Sequence, residues 1–167
     1  MKALTIAAAA VLASASAVAT APTASAATGC STGSLPSSVL GNPVVHAGDA
    51  AAVYVWHDSH GWHLRATHPG TARAVISGSI TASRDISSLR RVALESADVL
   101  RLSNHNKTLS FRFVNVGHVD GFDFTASCAK SARFGFRVNG AAATPEQVHL
   151  GAHRVSPTSV PFTVERS

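Results

Sequence analysis

Only two cysteines, one methionine and one tyrosine occur in 167 residues, and just 14% of the chain is charged. Two cysteines are too few for a disulfide-dense miniprotein or for a four-cysteine zinc module. No G-x-S-x-G elbow, H-E-x-x-H helix or Gly-rich phosphate loop is present, so the familiar hydrolase, metalloprotease and nucleotide-binding signatures are missing. Nowhere do apolar residues recur at i, i+3, i+4 and i+7 for more than two turns, which argues against packed helices. After Thr20 no long apolar run appears, and nothing there has the ~20 residues of a membrane span. Basic residues outnumber acidic ones 14 to 9, but without Lys/Arg runs or the basic-aromatic patterns of nucleic-acid binders.

What is present begins with a targeting signature. Met1-Lys2 precedes an Ala/Ser-rich run from Ala3 to Thr20, and Ala24-Ser25-Ala26 is a small-residue cleavage site. Residues 1–26 are therefore expected to be a secretory signal peptide, 27–42 an irregular Ser/Thr/Gly/Pro-rich lead-in, and 43–167 a single domain. Export makes a bridge between Cys30 and Cys128 the simplest use of the two thiols. Closing a loop of ~100 residues stabilises by ~4.7 kcal/mol in the chain-entropy model, and by ~2–4 in practice. A lipid on Cys30 is the competing use, although Ala27-Thr28-Gly29 lacks the Leu-type residue expected three positions upstream.

The organising stretch is Leu109 to Cys128, LSFRFVNVGHVDGFDFTASC. Leu109, Phe111 and Phe113 alternate with Ser110, Arg112 and Val114, and Phe122 and Phe124 alternate with Asp123 and Thr125. Period two is the signature of half-buried strands. Phe134, Phe136 and Val138 repeat it up to Asn139-Gly140, a hairpin signal. Further strands are expected at Val44-Val45, Ala51 to His57, Trp62 to His68, Ala74 to Ala82, Leu89 to Leu94, Val99 to Leu102, Val148 to Leu150 and Val160 to Arg166. Pro145-Glu146 is the one place for a helical turn. Eight to ten short strands predict an all-β antiparallel sandwich, immunoglobulin-like or jelly-roll, with a closed β-barrel as the alternative.

The succession HGWHLRATHPG, the strand GSIT, VDGFDF followed by Cys128, VHLG and a closing PFTVER resembles a group of small exported single-domain proteins of high-GC Gram-positive bacteria. The resemblance spans nearly all of residues 27–167. It implies export and one domain, and it brings no catalytic residue with it.

Two clusters have the residue types for chemistry. His57, His60 and His63 surround a tight hairpin, and imidazoles are common transition-metal ligands. Whether they converge depends on register. If Gly61 takes the left-handed position of a three-residue loop, Asp58 opposes Trp62 and His57 faces His63. The rings then close on zinc or copper with His60, while Tyr54 and Trp56 enter the core. This register is preferred because it buries both aromatics. Otherwise His57 pairs with Trp62, Val53, Val55 and Leu64 turn inward, and Tyr54, Trp56 and Arg65 form an outward face on which a sugar could stack. In the second cluster, Asp120-Gly121 has turn chemistry, and Asp120 and Asp123 around that turn are two ligands for calcium, short of the six to eight oxygens that ion takes.

The resulting expectation is a secreted, non-catalytic extracellular domain that binds or builds. Its partner would be an anionic cell-envelope polymer, a carbohydrate or a protein, without nucleic acid or a membrane span, and the domain would be monomeric. A transition-metal-binding protein, and a small secreted hydrolase or inhibitor, are the alternatives.

Overall fold

The computed structural model describes residues 33–167. Among these described residues eleven strands form two sheets, with two short 3-10 helices outside them. In chain order the strands are β1 (Ala52–Asp58), β2 (Gly61–Thr67), β3 (Ala74–Ala82), β4 (Ser87–Val92), β5 (Val99–Ser103), β6 (Thr108–Asn115), β7 (Val119–Thr125), β8 (Ser131–Val138), β9 (Ala141–Ala142), β10 (Val148–Leu150) and β11 (Phe162–Glu165). The first sheet runs β10-β1-β2-β7-β4 and the second β11-β8-β3-β6-β5, with β9 paired to β8. All pairings are antiparallel except β1 with β10. The expected sandwich is therefore the fold, and the sheets do not close into a barrel.

The alternating phenylalanines make the core. Phe113, Phe122, Phe124 and Phe134 are almost completely buried, and Phe111 and Phe136 nearly so. Rings meet across the two sheets, with Phe111 5.4 Å from Phe122 and Trp62 5.4 Å from Phe134. Gly78 lies between Phe111 and Phe136 in the register of the second sheet. A Cβ there would sit 2.4 Å from the Gly135 carbonyl oxygen and 2.7 Å from the Phe136 ring. Only glycine lets β3 approach β8 and both rings this closely.

Local chemistry explains most of the ends. Asn139 and Gly140 both take positive φ, as a two-residue hairpin of this type requires. The helical turn falls where expected, at Pro145–Gln147, closed by a capping box between Thr144 and Gln147. Three details differ from the sequence reading. Asp120-Gly121, expected as a turn, lies inside β7. Val44 and Val45 form no strand. In the lead-in, Ser37–Val39 is a 3-10 helix whose Val39 is buried in the core, and Leu40 bridges to His57. An apolar side chain every few residues is enough to recruit such a segment to the edge of a sandwich. No helix of the described residues is long and apolar enough to cross a membrane.

Candidate functional site

The β1–β2 hairpin takes the register that the sequence reading ranked second. His57 pairs with Trp62, Trp56 with His63, and Asp58 with Gly61. Two causes are visible. Asp58 Oδ1 accepts the His60 N–H at 2.7 Å, a local bond that shortens the turn to Ser59-His60. Long-range packing decides the phase, because Val53, Val55, Trp62, Leu64 and Ala66 fill the core. The preferred register is thus overturned, and with it the opposition of His57 and His63.

Side-chain alternation then separates the three histidines. His57 points to the same face of the sheet as Val53 and Val55, and its Nε2 lies 3.2 Å from Arg166. Burial pushes the His57 pKa down, and the Arg166 charge pushes it further. His63 points to the opposite face, and His60 is exposed at the turn. A metal ion shared by His57 and His63 would have to lie inside the sheet. Among the described residues no three His, Cys, Asp or Glu side chains are placed to hold a metal.

On the outer face of the first sheet His63 joins a charged network. Its Nδ1 lies 2.8 Å from Asp123 Oδ1, and its Nε2 lies 2.9 Å from Asp58 Oδ1. Ionised carboxylates accept but do not donate, so both contacts are hydrogen bonds only when both ring nitrogens carry protons. Asp123 Oδ1 also accepts Arg65 Nη2 at 2.8 Å, and Oδ2 accepts Arg90 Nε at 2.8 Å together with Arg90 Nη2. Burial raises the Asp123 pKa, but bonds from Arg65, His63 and Arg90 outweigh it and bring the value to about 2. Asp58 follows the same logic. Burial opposes ionisation, yet the bonds from His63 and the His60 N–H hold its pKa below the ordinary value.

This network is a clasp across four strands. Both carboxylate oxygens of Asp123 and both His63 nitrogens are engaged in it. The calcium reading fails for a related reason. Asp120 and Asp123 are three residues apart on β7, so they point to opposite faces. Asp120 is fully buried, its Oδ2 3.0 Å from Nε2 of the equally buried His68.

The aromatic face is present but roofed. Arg65 stacks over Trp56 with its guanidinium carbon 5.2 Å from the ring centroid, and Arg154 lies 5.3 Å over Tyr54. His63 stacks against Trp56 at 5.0 Å. Tyr54 and Trp56 retain 3% and 5% exposure, too little to stack a sugar ring. Arg65 reaches its place because Gly121 is opposite it. A Cβ on Gly121 would lie 2.7 Å from Arg65 Cδ and 2.2 Å from the Leu64 carbonyl oxygen.

The outer face of the second sheet has the opposite character. Across its strands, Arg112, Ser77 and Arg137 form one row, Arg101, Ser110, Ser79 and Gly135 the next, and Thr108, Thr81 and Arg133 a third. Arg101, Arg112, Arg133 and Arg137 are all exposed. Among the described residues none of the four pairs with a carboxylate. Glu165 lies on the same face at the β11 edge without bonding any of them. Arg137 Nη1 donates to the Gly140 carbonyl, which fixes that side chain beside the β8–β9 turn. From ~4.8 Å between strands and ~3.3 Å per residue, neighbouring guanidinium stems stand roughly 8–13 Å apart.

The sequence shows no Lys/Arg run, and these four arginines lie apart along it. The signal was there: Arg112 alternates with Phe111 and Phe113, and Arg133 and Arg137 alternate with Phe134 and Phe136. What was missing was the strand order β8-β3-β6-β5, which places them on one surface.

Cys128 follows β7 with φ of 63°, and its expected partner Cys30 lies outside the described residues, as do the signal segment and its cleavage site. Comparisons with known families, with characterised proteins and with solved structures return no match.

Proposed function

We propose that this chain is a non-catalytic extracellular binding domain that holds an anionic cell-envelope polymer on the outer face of its second sheet. The observation that carries the reading is the contrast between the two sheets. Arg65 and Arg90 on the first sheet both pair with Asp123, whereas Arg101, Arg112, Arg133 and Arg137 on the second have no carboxylate partner among the described residues. Four like charges on one flat face repel one another and gain nothing for the fold. They are well suited to a ligand with repeated anions, since a guanidinium pairs bidentately with carboxylate or phosphate. The sequence supports the compartment, with its targeting signature and a Cys30–Cys128 bridge as the use for its only two thiols.

The test is co-sedimentation of the purified mature domain with envelope fractions across a salt series. Binding should weaken steeply as salt rises, because exposed charges are screened beyond ~3 Å at about 1 M. The double variant Arg112→Glu, Arg137→Glu should lose it, while Arg84→Glu, in the loop after β3, should keep it. Retention of the double variant at the wild-type level would overturn the reading.

A further inference from the structure

Between β3 and β8 the arginine face dips into a trough of about 410 Å³, whose lining includes Ser77, Ser79, Gly135, Arg137, Val160 and Pro161, with the Phe111 and Phe136 rings reached at Gly78. Its polar part is built from small residues. Ser79 and Gly135 are direct cross-strand partners, and Ser77 pairs with Arg137. The wall comes from Val160-Pro161, the segment leading into β11.

We infer that this trough is a subsite for a hydroxyl-rich repeat unit of the polymer, whose anionic groups are taken by the flanking arginines. The inference rests on the polyanion reading and adds to it the class of polymer. A surface meant only for charge needs no cavity. Here Arg137 stands at the rim of a depression, and Arg112 lies on the far side of Ser77. Inside it the Ser77 and Ser79 hydroxyls have no protein partner among the described residues, and each can both donate and accept. Hydroxyl groups of a polyol or sugar match that dual capacity. Pro161 and Val160 supply an apolar side of the kind the C–H face of such a unit packs against, and a volume of this size lies within the range of small-molecule sites.

The repeat spacing agrees with this reading. Arg112 and Arg137 flank Ser77 from two different strands, so their stems stand about 10 Å apart across the trough. An anion on each side of one seated unit would meet one guanidinium each. Both a phosphodiester-linked polyol and a polyuronate present that pattern, one anion per hydroxyl-bearing unit. Linear polyphosphate has the charge without the hydroxyls.

Gly135 provides a variant that fills the trough and spares the fold. Its Cβ would meet only the Pro161 Cβ at 3.6 Å, an ordinary contact, and its φ is not in the left-handed region. Gly135→Val should therefore remain folded, since a β-branched residue suits an outward strand position. The experiment measures binding of wild type, Gly135→Val and Arg112→Glu/Arg137→Glu to four probes at matched ionic strength. The probes are a glycerol-phosphate polymer, polygalacturonate, linear polyphosphate and neutral dextran.

The inference expects wild type to prefer the glycerol-phosphate polymer, the polyuronate or both over polyphosphate by at least about tenfold. Which of the two binds identifies the anion. Gly135→Val should lose that preference and bind all polyanions alike, with its melting temperature unchanged. Equal affinity of wild type for polyphosphate, or a Gly135→Val that keeps the preference, would overturn the trough and leave the charged face standing. Loss of every polyanion, or binding by the double Glu variant, would overturn the face itself.

Discussion

Asp123 is the group whose removal the structure constrains most tightly. Its side chain is 11% exposed and accepts hydrogen bonds from His63, Arg65 and Arg90. Those partners bring its pKa to about 2 from the ordinary 3.8. At about 1.4 kcal/mol per pH unit, that lowering corresponds to about 2 kcal/mol of stability. Because the folded value lies below the unfolded one, the contribution is complete above about pH 5. It fades as the pH falls through the unfolded value toward about 2. Asp123→Asn keeps the shape and removes the charge. Its amide turns an NH2 group toward guanidinium donors and leaves the 14%-exposed Arg65 without a counter-ion. Breaking a buried pair in this way costs about 3 kcal/mol or more near pH 7. Urea melts read both effects, with the midpoint falling and the slope m unchanged. The decisive result is the acid limb. Wild type should lose about 2 kcal/mol between about pH 5 and pH 2 that the variant does not lose. A variant that keeps the wild-type acid dependence, or that costs under about 0.5 kcal/mol at neutral pH, would refute the clasp.

Two further outcomes follow from packing. Phe113→Ala removes a fully buried ring in contact with Phe111 and Phe122, and should cost about 3–5 kcal/mol in a urea melt. Against a total of about 5–15 kcal/mol that is enough to lower the yield of folded protein, and a cost under about 1 kcal/mol would mean the cavity collapses without penalty. Gly121→Ala should cost about 3 kcal/mol or more, because its methyl would meet the Leu64 carbonyl oxygen at 2.2 Å and push Arg65 off Trp56. Trp fluorescence should move with it, and an unchanged melt and spectrum would show that Arg65 is not held by that glycine.

The strands were legible in the sequence because each buried face announces itself locally. Phe111/Phe113, Phe122/Phe124 and Phe134/Phe136 are spaced by two, and nothing but a half-buried strand explains that spacing three times over. The hairpin register was not legible, since both phases bury a comparable set of large side chains. Burying Tyr54 and Trp56 looked better than exposing them. That comparison omitted a third outcome, in which the rings lie on the outer face and are covered by Arg65 and Arg154. Arginine stems roof apolar surface while keeping the charge near water, and only the position of Gly121 beside Arg65 gives the guanidinium its place.

The calcium reading shows a different failure, which turns on where a strand begins. Asp120-Gly121 has turn chemistry, and the visible alternation starts only at Phe122, so the sequence gathers the two acids around a glycine turn. The structure starts β7 at Val119, and on one strand residues an odd number apart point to opposite faces, so the pair is divided. The same parity rule gathers what the linear reading scattered. Arg112 lies opposite Ser77 and Ser77 opposite Arg137, although 35 and 60 residues of sequence separate them. A face is thus a property of parity and strand order together. Parity can be read from the alternation of phenylalanines, but strand order comes only from the long-range pairing of β3 with both β6 and β8. Sites on this fold that lie within one strand are open to sequence reasoning, and those that cross strands are not.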